Sequence, residues 1–209
     1  MAQTDSTVDK EITLRAGRGR RAAADVRRAV LTATAELLFG GGIKSVTFEK
    51  VAHHAGVSKM TLYKWWPSPG ALALEAYFDA VEPELSFPDT GSLADDLRSQ
   101  LHSFIHLLVD ANGGRVMGEL VGLAQSDPAL ASALESTYTR PRRQLAVERL
   151  ELARVAGEIR DDVDLQVVVD QLWGAAYHRL LLPAEPLTIA FADALIDNVL
   201  RGINNPASS

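Results

Sequence analysis

Apolar residues recur three and four positions apart over residues 25–200, and no segment alternates apolar and polar residues with a convincing period of two. The first spacing collects apolar side chains on one face of an α-helix, whereas a half-buried β-strand requires the second. Glycines and prolines interrupt the helical pattern at points where helices commonly begin or end. The sequence therefore predicts an all-α fold, without an internal repeat.

Breaks in this pattern set the expected helix bounds. Thr47, Ser58 and Ser68 each precede a helical stretch and are predicted N-caps, the last strengthened by proline at the next position. In the N-terminal part we expect one helix from residue 25 to the glycines at 40–42, two short helices at 48–55 and 58–65, and a fourth from 69 onwards. In the rest of the chain we expect helices at 93–108, 115–125, 127–156, 165–182 and 187–200.

Charge is unevenly distributed along the chain. Residues 1–66 contain 11 lysines and arginines against 6 aspartates and glutamates, a net charge of +5. Residues 67–209 contain 10 against 21, a net charge of −11. The overall formal charge of −6 argues against a nucleic-acid partner, but its distribution predicts a polyanion-binding module joined to an acidic body.

Composition removes several function classes. The chain has no cysteine, which excludes disulfides, thiolate zinc sites and cysteine nucleophiles. It has no run of 18 or more apolar residues and no N-terminal secretory signal, so we expect a cytoplasmic protein that does not bind a membrane. No Ser/His/Asp set and no glycine-rich phosphate loop stands out, so we expect neither a cofactor nor catalysis.

One histidine pair favours a different function. His102 and His106 lie four positions apart, a spacing that can place two imidazoles on one metal ion. No third ligand is identifiable from the sequence, and the zincin motif is absent. We therefore predict no metal site, and a metal-dependent enzyme built on this pair is kept as an alternative.

Residues 47–66, TFEKVAHHAGVSKMTLYKWW, contain a short helix, a turn and a second short helix, which is the arrangement of a helix-turn-helix. Gly56 can adopt the positive φ that the turn needs. Cations near phosphates and short or flexible side chains at base edges suit a helix in the DNA major groove. The second helix presents Lys59, Met60, Thr61, Tyr63 and Lys64. A structural helix pair is the alternative that the pattern leaves open.

The chain resembles the DNA-binding domain of the TetR/AcrR transcriptional repressors in the runs LTATAELLFGGG and SVTFEKVAHHAGVSKMTLYKWWPSPGALALEAYF. Residues 116–201 resemble a regulatory domain common in that family, through QSDPALASALESTYTRPRR and WGAAYHRLLL. The resemblance implies a three-helix DNA-binding domain, a connecting fourth helix and a helical body that binds ligand and dimerises through its last two helices. It implies a homodimeric repressor of a palindromic double-stranded DNA operator, released by an unknown small-molecule effector; an activator is the alternative.

The resemblance also assigns residues to DNA contact. It makes Thr47 a cap and a phosphate contact, and it gives the Tyr63 hydroxyl to a phosphate. The expected DNA-binding residues are Thr47, Ser58, Lys59, Met60, Thr61, Tyr63 and Lys64, together with Arg18, Arg20 and Arg21. Family members often have a phosphate-anchoring lysine where this chain has Pro69, and the three arginines offset its loss if they enter the adjacent minor groove. A solvated tail is the other interpretation of that arm.

These patterns divide the chain into a flexible basic arm (residues 1–21), a helix-turn-helix domain (22–67), a ligand-binding and dimerisation domain (68–202) and a disordered tail (203–209). Over residues 165–182 the only charged side chains are Asp170 and Arg179, and a helix so apolar must be buried nearly all round. The next helix carries two apolar stripes. One stripe can cover the core of the body, and the other would be covered by a second copy of the chain. A tightly packed monomer core is the alternative. The expected dimer interface consists of Leu165, Val169, Leu172, Leu187, Phe191 and Leu195.

A ligand pocket of the body should be largely apolar with few polar anchors. The candidate lining residues are Phe104, Met117, Leu120, Tyr138, Trp173 and Tyr177. Aromatic residues at helical spacing more often belong to a core, which is the competing interpretation. Arg140, Arg142 and Arg143 follow Tyr138, and we expect them in solvent rather than on an anion.

Overall fold

The computed structural model describes residues 23–82, 87–110, 112–182 and 185–204, and these ranges form a helical bundle without a β-strand. The N-terminal helices are α1 (Ala23–Gly41), α2 (Phe48–Ala55), α3 (Lys59–Trp65) and α4 (Pro69–Val81), with a 3₁₀ turn at Ile43–Ser45. The body contains α5 (Leu93–Val109), α6 (Gly113–Ala124), α7 (Pro128–Leu134), α8 (Arg140–Val155), α9 (Leu165–Val169), α10 (Ala175–Leu181) and α11 (Ile189–Ile203). The all-α prediction is confirmed. No helix of the described ranges is long and apolar enough to cross a membrane.

Local side-chain chemistry sets the ends of the N-terminal helices. Thr47, Ser58 and Ser68 each accept a hydrogen bond from the backbone N–H three residues later, at 3.1–3.2 Å, so all three predicted caps are confirmed. Each bond satisfies one of the N–H groups that a helix start leaves without a partner. Gly56 ends α2 with a φ of 66°, the left-handed conformation that the turn was predicted to need.

A small core and one carboxylate hold α3 in place. Leu38, Val51 and Leu62, from the first three helices, are completely buried. Glu75 on α4 accepts hydrogen bonds from Trp66 Nε1 at 2.8 Å and from Arg27 Nη2 at 2.5 Å. The two donors come from opposite ends of the helix-turn-helix domain, so α4 fixes the orientation of that domain on the body.

A second junction joins the end of α1 to α6. The backbone N–H of Ile43 donates to Glu119 Oε2 at 2.5 Å, and Arg115 Nη2 donates to the carbonyl of Phe39 at 3.0 Å. Gly42 lies between these contacts with a φ of 75°, and a Cβ there would stand 2.5 Å from Arg115 Nη1. Glycine is therefore required both by the backbone conformation and by the close approach of the α6 side chains.

Two helices that the sequence predicts as continuous contain π-helical turns. Glu135–Thr139 separates α7 from α8, and Asp170–Gly174 separates α9 from α10. Pro141, just beyond the first turn, has no N–H to donate and so interrupts the α-helical hydrogen bonds there. A π turn inserts one residue without ending the helix, which is why the apolar periodicity does not reveal it.

The arm predicted at residues 1–21, with Arg18, Arg20 and Arg21, lies outside the described residues, as does most of the predicted tail. The C-terminal end of the body lies beyond the expected residue 202. Ile203 is buried, and its carbonyl accepts the backbone N–H of Arg160 at 3.0 Å. The folded chain therefore continues to Asn204, which pairs with Ile159 in an isolated β-bridge.

Candidate nucleic-acid interface and ligand cavity

The outer side of α3 is polar, cationic and open to solvent. Met60 and Tyr63 are 76% and 62% exposed, and Lys59 and Lys64 are also exposed. Leu62, on the opposite side of the helix, has no exposed surface. We call the four exposed residues the recognition face; their arrangement leaves the charged and adaptable side chains of α3 free to meet a ligand.

The remaining predicted contacts on these helices surround that face. Thr47 and Ser58 are exposed, and Thr61 is half-buried because its hydroxyl lies 2.9 Å from Ser58 Oγ. The Tyr63 ring packs edge-on against Phe48, with 4.7 Å between the ring centroids. These contacts restrict the side-chain rotamers of Thr61 and Tyr63 but leave the recognition face exposed to solvent.

One lysine of the face already has an acidic neighbour. Lys59 Nζ lies 3.7 Å from Glu49 Oε1, and both side chains are more than half exposed. An exposed pair of this kind contributes about 0–1 kcal/mol, so a phosphate can replace the carboxylate at low cost. Lys64 takes part in none of the ion pairs found among the described residues.

The body contains a partly open cavity of about 330 Å³, which we call the body cavity. Five of the six predicted pocket residues line it: Phe104, Met117, Tyr138, Trp173 and Tyr177. Leu120 does not line it; this side chain is fully buried in the core instead. Both π turns contribute lining residues, Tyr138 and Thr139 from one and Asp170, Trp173 and Gly174 from the other.

Aromatic pairs form much of the cavity wall. The rings of Phe104 and Tyr177 pack edge-on at 5.5 Å, and those of Phe87 and Trp173 lie 5.9 Å apart. Trp173 Nε1 donates to Gln100 Oε1 at 3.1 Å, which holds the indole in position. The result is a wall of flat apolar surfaces with a few fixed polar atoms, the usual composition of a small-molecule site.

One arginine of the cavity is fully neutralised by its neighbours. Arg143 donates from Nη1 to Asp170 Oδ1 at 2.5 Å, and from Nε and Nη2 to the side chain and carbonyl of Gln166. The hydrogen bond from Arg143 lowers the pKa of Asp170, so that carboxylate stays charged. This pair adds no net charge to the cavity.

Arg142 is different, and its location corrects the expectation of a solvent position. It lines the cavity, and its Nη2 is buried without a hydrogen-bond partner among the described residues. Burial lowers the pKa of the guanidinium, and interactions with Tyr138 and Glu82 oppose that change. Arginine stays protonated in proteins, so the cavity contains a desolvated cation. The spacing from Tyr138 to Arg142 is one helical turn and was the signal that could have found it.

Two neutral phenols lie beside this cation. Burial raises the pKa of Tyr138, although interactions with Tyr177 and Arg142 act in the opposite direction. Burial also raises the pKa of Tyr177 well above its usual range. Both hydroxyl groups therefore remain protonated near neutral pH. Tyr177 hydrogen-bonds to Tyr138, so the proton of Tyr138 is the one left to donate.

The predicted interface residues separate into two groups. Leu165, Val169 and Leu172 are buried within one chain and offer almost no surface to a second copy. Leu187, Phe191 and Leu195 are only partly buried, and Leu195 borders a shallow groove with Gln171, Asn198 and Gly202. The predicted dimer interface is therefore narrowed to Leu187, Phe191 and Leu195 and their exposed neighbours.

The two histidines of the metal alternative bind different carboxylates. His102 Nε2 lies 2.7 Å from Asp193 Oδ1 on α11, whereas His106 Nδ1 lies 3.3 Å from Asp110 Oδ2, directly after the end of α5. The part of the chain that the structure describes contains no group of three or more His, Asp or Glu side chains able to hold a metal ion. The two histidines thus have separate partners, and only His102 links α5 to α11.

Family comparisons match both halves of the chain. Residues 30–76 match the family described as bacterial regulatory proteins, tetR family, and residues 87–199 match the tetracyclin repressor-like C-terminal domain. The first range contains the recognition face, and the second contains the body cavity.

Individual relatives extend over most of the chain. The crystal structure of the TetR family transcription regulator SCO0332 has 55% identity and a TM-score of 0.79, covering 87% of this chain and 100% of that one. The HTH-type transcriptional regulator YdeS of Bacillus subtilis is 32% identical over 89% of this chain and 93% of its own. The DNA-binding transcriptional repressor TetR of Mycobacteroides abscessus is 29% identical over 88% and 97%.

Proposed function

Because the chain belongs to the TetR family of transcriptional regulators, which are not enzymes, we propose that it is a ligand-responsive repressor. In this proposal a homodimer binds a palindromic operator, and a small molecule in the body cavity releases it. The observation that carries the proposal is the pairing of an exposed cationic α3 with a largely apolar cavity in one chain. The M. abscessus relative is a DNA-binding transcriptional repressor, which supports repression rather than activation.

The recognition face would enter the major groove. Lys59 and Lys64 supply charge for phosphates, and Met60 is a flexible side chain that can reach base edges. Thr61, half-buried beside the face, adds a short side chain. A dimer would place two copies of α3 about one or more helical turns apart, roughly 34–36 Å per turn. The acidic body, with its net charge of −11 over residues 67–209, would be repelled by the duplex.

The outer face of the last two helices suits a two-fold dimer. Both aspartates of α11 point to α5, where Asp197 accepts a hydrogen bond from Arg98 at 2.7 Å and Asp193 pairs with His102. The opposite side of α11 therefore carries few charges, and it presents Phe191 and Leu195 only half covered. Apolar surface of this kind is what a four-helix interface between two copies would bury.

A series of aromatic contacts links the cavity to the DNA-binding domain. The Tyr138 ring stacks on Phe78 of α4 at 4.0 Å, Phe78 meets Tyr77 at 5.3 Å, and Tyr77 stacks on Phe39 of α1 at 5.7 Å. A ligand that displaces Tyr138 would therefore move α4, which holds the helix-turn-helix domain through Glu75. A few kcal/mol of differential affinity between two such arrangements is enough to release DNA.

Footprinting on DNA that flanks the gene tests the operator hypothesis. We expect protection of a short palindromic segment, with an affinity that falls steeply as salt concentration rises, because lysines that bind phosphates release counterions. Protection along the whole fragment would instead identify a sequence-indifferent DNA-coating protein. Binding that is constant with salt would contradict phosphate contact.

The dimer hypothesis predicts that a charge on the outer face of α11 separates the subunits. Leu195→Glu, and Ala194→Glu at an exposed neighbouring position, are expected to convert a dimer into a folded monomer at micromolar concentration. Val155→Glu is the matched control, since Val155 is 80% exposed at the end of α8 and belongs to neither of the last two helices. Sedimentation velocity measures the result. A monomeric wild type, or dimers in all three variants, would contradict the interface.

A further inference from the structure

We infer that the body cavity binds a largely apolar molecule through one anionic group, held by Arg142 with Tyr138 as a neighbouring donor that Tyr177 supports. The inference rests on the proposed function, because it specifies the chemistry of the effector in that hypothesis. Its starting observation is the buried Nη2 of Arg142, which has no hydrogen-bond partner among the described residues.

The charge of the cavity points to an anion. Arg143 and Asp170, which both line it, neutralise each other at 2.5 Å. Arg142 belongs to no ion pair within 4.0 Å in the described part of the chain; Glu82 acts on it only as a more distant charge. Tyr138 interacts with the same guanidinium, but the buried Nη2 is left without a partner, which costs free energy. A carboxylate beside that atom removes the cost through charge-assisted hydrogen bonds.

The neighbouring phenols favour the same group. Tyr138 and Tyr177 keep their protons near neutral pH because burial raises the pKa of both. A protonated phenol can donate to an anionic oxygen, whereas an ionised one would repel it. The cation and the two hydroxyls thus form one polar corner in a cavity whose other walls include Phe87, Phe104 and Trp173.

The shape and lining limit the rest of the molecule. Outside the polar corner, the polar lining consists of Thr139, of Gln100, which accepts from Trp173, and of the mutually paired Arg143 and Asp170. The remaining wall is aromatic or aliphatic, with Met117, Val121, Leu134 and Leu181. A ligand with several polar groups would lose hydration that the wall does not replace. We therefore infer one acidic group on an apolar body, such as an aryl or alkyl carboxylate.

The position of the polar corner also suits a switch. Arg142 lies in the first turn of α8, directly after the π turn that contains Tyr138, and Tyr138 stacks on Phe78 of α4. An anion that draws the guanidinium and the phenol together would shift the stack on α4. The same group would thus provide both affinity and the link to the DNA-binding domain.

Matched pairs of acid and alcohol test the inference on the full-length protein. Isothermal titration would compare 2-naphthoate with 2-naphthylmethanol, and decanoate with 1-decanol. We expect at least one acid to bind at least tenfold more tightly than its alcohol, because only the acid can pair with Arg142. Arg142→Gln is expected to remove that preference.

Arg140→Gln is the control, because Arg140 pairs with exposed Glu135 at 2.8 Å and does not line the cavity. It should keep the preference for the acid, and circular dichroism should report an unchanged fold for both variants. Equal binding of acid and alcohol, a preference that survives in Arg142→Gln, or no saturable binding of either acid would overturn the inference. An acid that binds through Arg142 but does not release DNA would support the inference and count against the effector role alone.

Discussion

Alanine at Lys59 or Lys64 is expected to weaken operator binding about a hundredfold in the dimer, with no change in the folding of the body. A lysine–phosphate contact is a charge-assisted interaction of about 1–2 kcal/mol, roughly a factor of ten, and each substitution removes two copies. The slope of log affinity against log salt should also become shallower by about 1.8 for each substitution, because two phosphate contacts are lost.

A substitution at Glu49 is expected to have the opposite effect on operator affinity. Its carboxylate lies 3.7 Å from Lys59 Nζ and would be displaced when that lysine meets a phosphate. Glu49→Gln is therefore expected to strengthen binding, since it removes both the competitor and a negative charge beside the duplex.

Titration of a fluorescent operator over a range of salt concentrations measures all of these effects. Arg140→Ala is the matched control, because Arg140 is an exposed cation on α8, outside both the recognition face and α11. If Lys59→Ala and Lys64→Ala bind like wild type, α3 is not the recognition helix. If Arg140→Ala weakens binding as much as they do, the effect reports overall charge and not contact.

The structure follows the sequence most closely where the determining interactions are local. The caps at Thr47, Ser58 and Ser68 each bond a backbone group three residues away, so their residue types and positions alone were enough to predict them. The positive φ of Gly56 is local in the same sense. These features fix the helix-turn-helix, and the exposure of the recognition face follows from the burial of Leu62 on its other side.

Features that depend on distant partners were not predictable from periodicity. Periodicity places Leu165, Val169 and Leu172 on apolar positions, but it does not say whether the same chain or a second copy covers them. The burial of Arg142 was not predictable for the same reason, because it depends on residues of α10 and of the turn at Asp170–Gly174, which line the same cavity. Each π turn rotates the residues that follow it relative to a continuous α-helix, and both turns place side chains in the cavity.

Breaking the buried ion pair of the body is expected to have the largest effect on stability. Asp96 is fully buried on α5, and it accepts hydrogen bonds from Arg149 Nε at 2.6 Å and from the backbone and hydroxyl of Thr90. Arg149→Met leaves that carboxylate without its cation, which costs about 3–5 kcal/mol of the free energy of unfolding. Denaturant titration at fixed protein concentration measures it, because dimerisation makes stability depend on concentration.

Acidification is expected to destabilise the protein through the same carboxylate, that of Asp96. Burial alone would raise the pKa of Asp96, but hydrogen bonds from Thr90 and Arg149 outweigh burial and lower the pKa below its ordinary value of 3.8. A group whose pKa is lowered by folding stabilises the protein above its unfolded-state pKa, and that contribution is lost as pH falls through the lower folded-state pKa. The wild type should therefore lose stability on acidification below about pH 4 through this residue, and Asp96→Asn should lack that component.

The double variant Asp96→Asn, Arg149→Met separates the contribution of the ion pair to stability from that of the surrounding contacts. Removing both charges avoids an unpaired buried ion, so the double variant should be more stable than Arg149→Met alone. Arg98→Ala on the same helix is the control, since its partner Asp197 is 43% exposed and such pairs contribute about 0–1 kcal/mol. A small loss for Arg149→Met, similar to that for Arg98→Ala, would mean that water reaches Asp96. The junction of α5 with α8 would then be held by its apolar contacts alone.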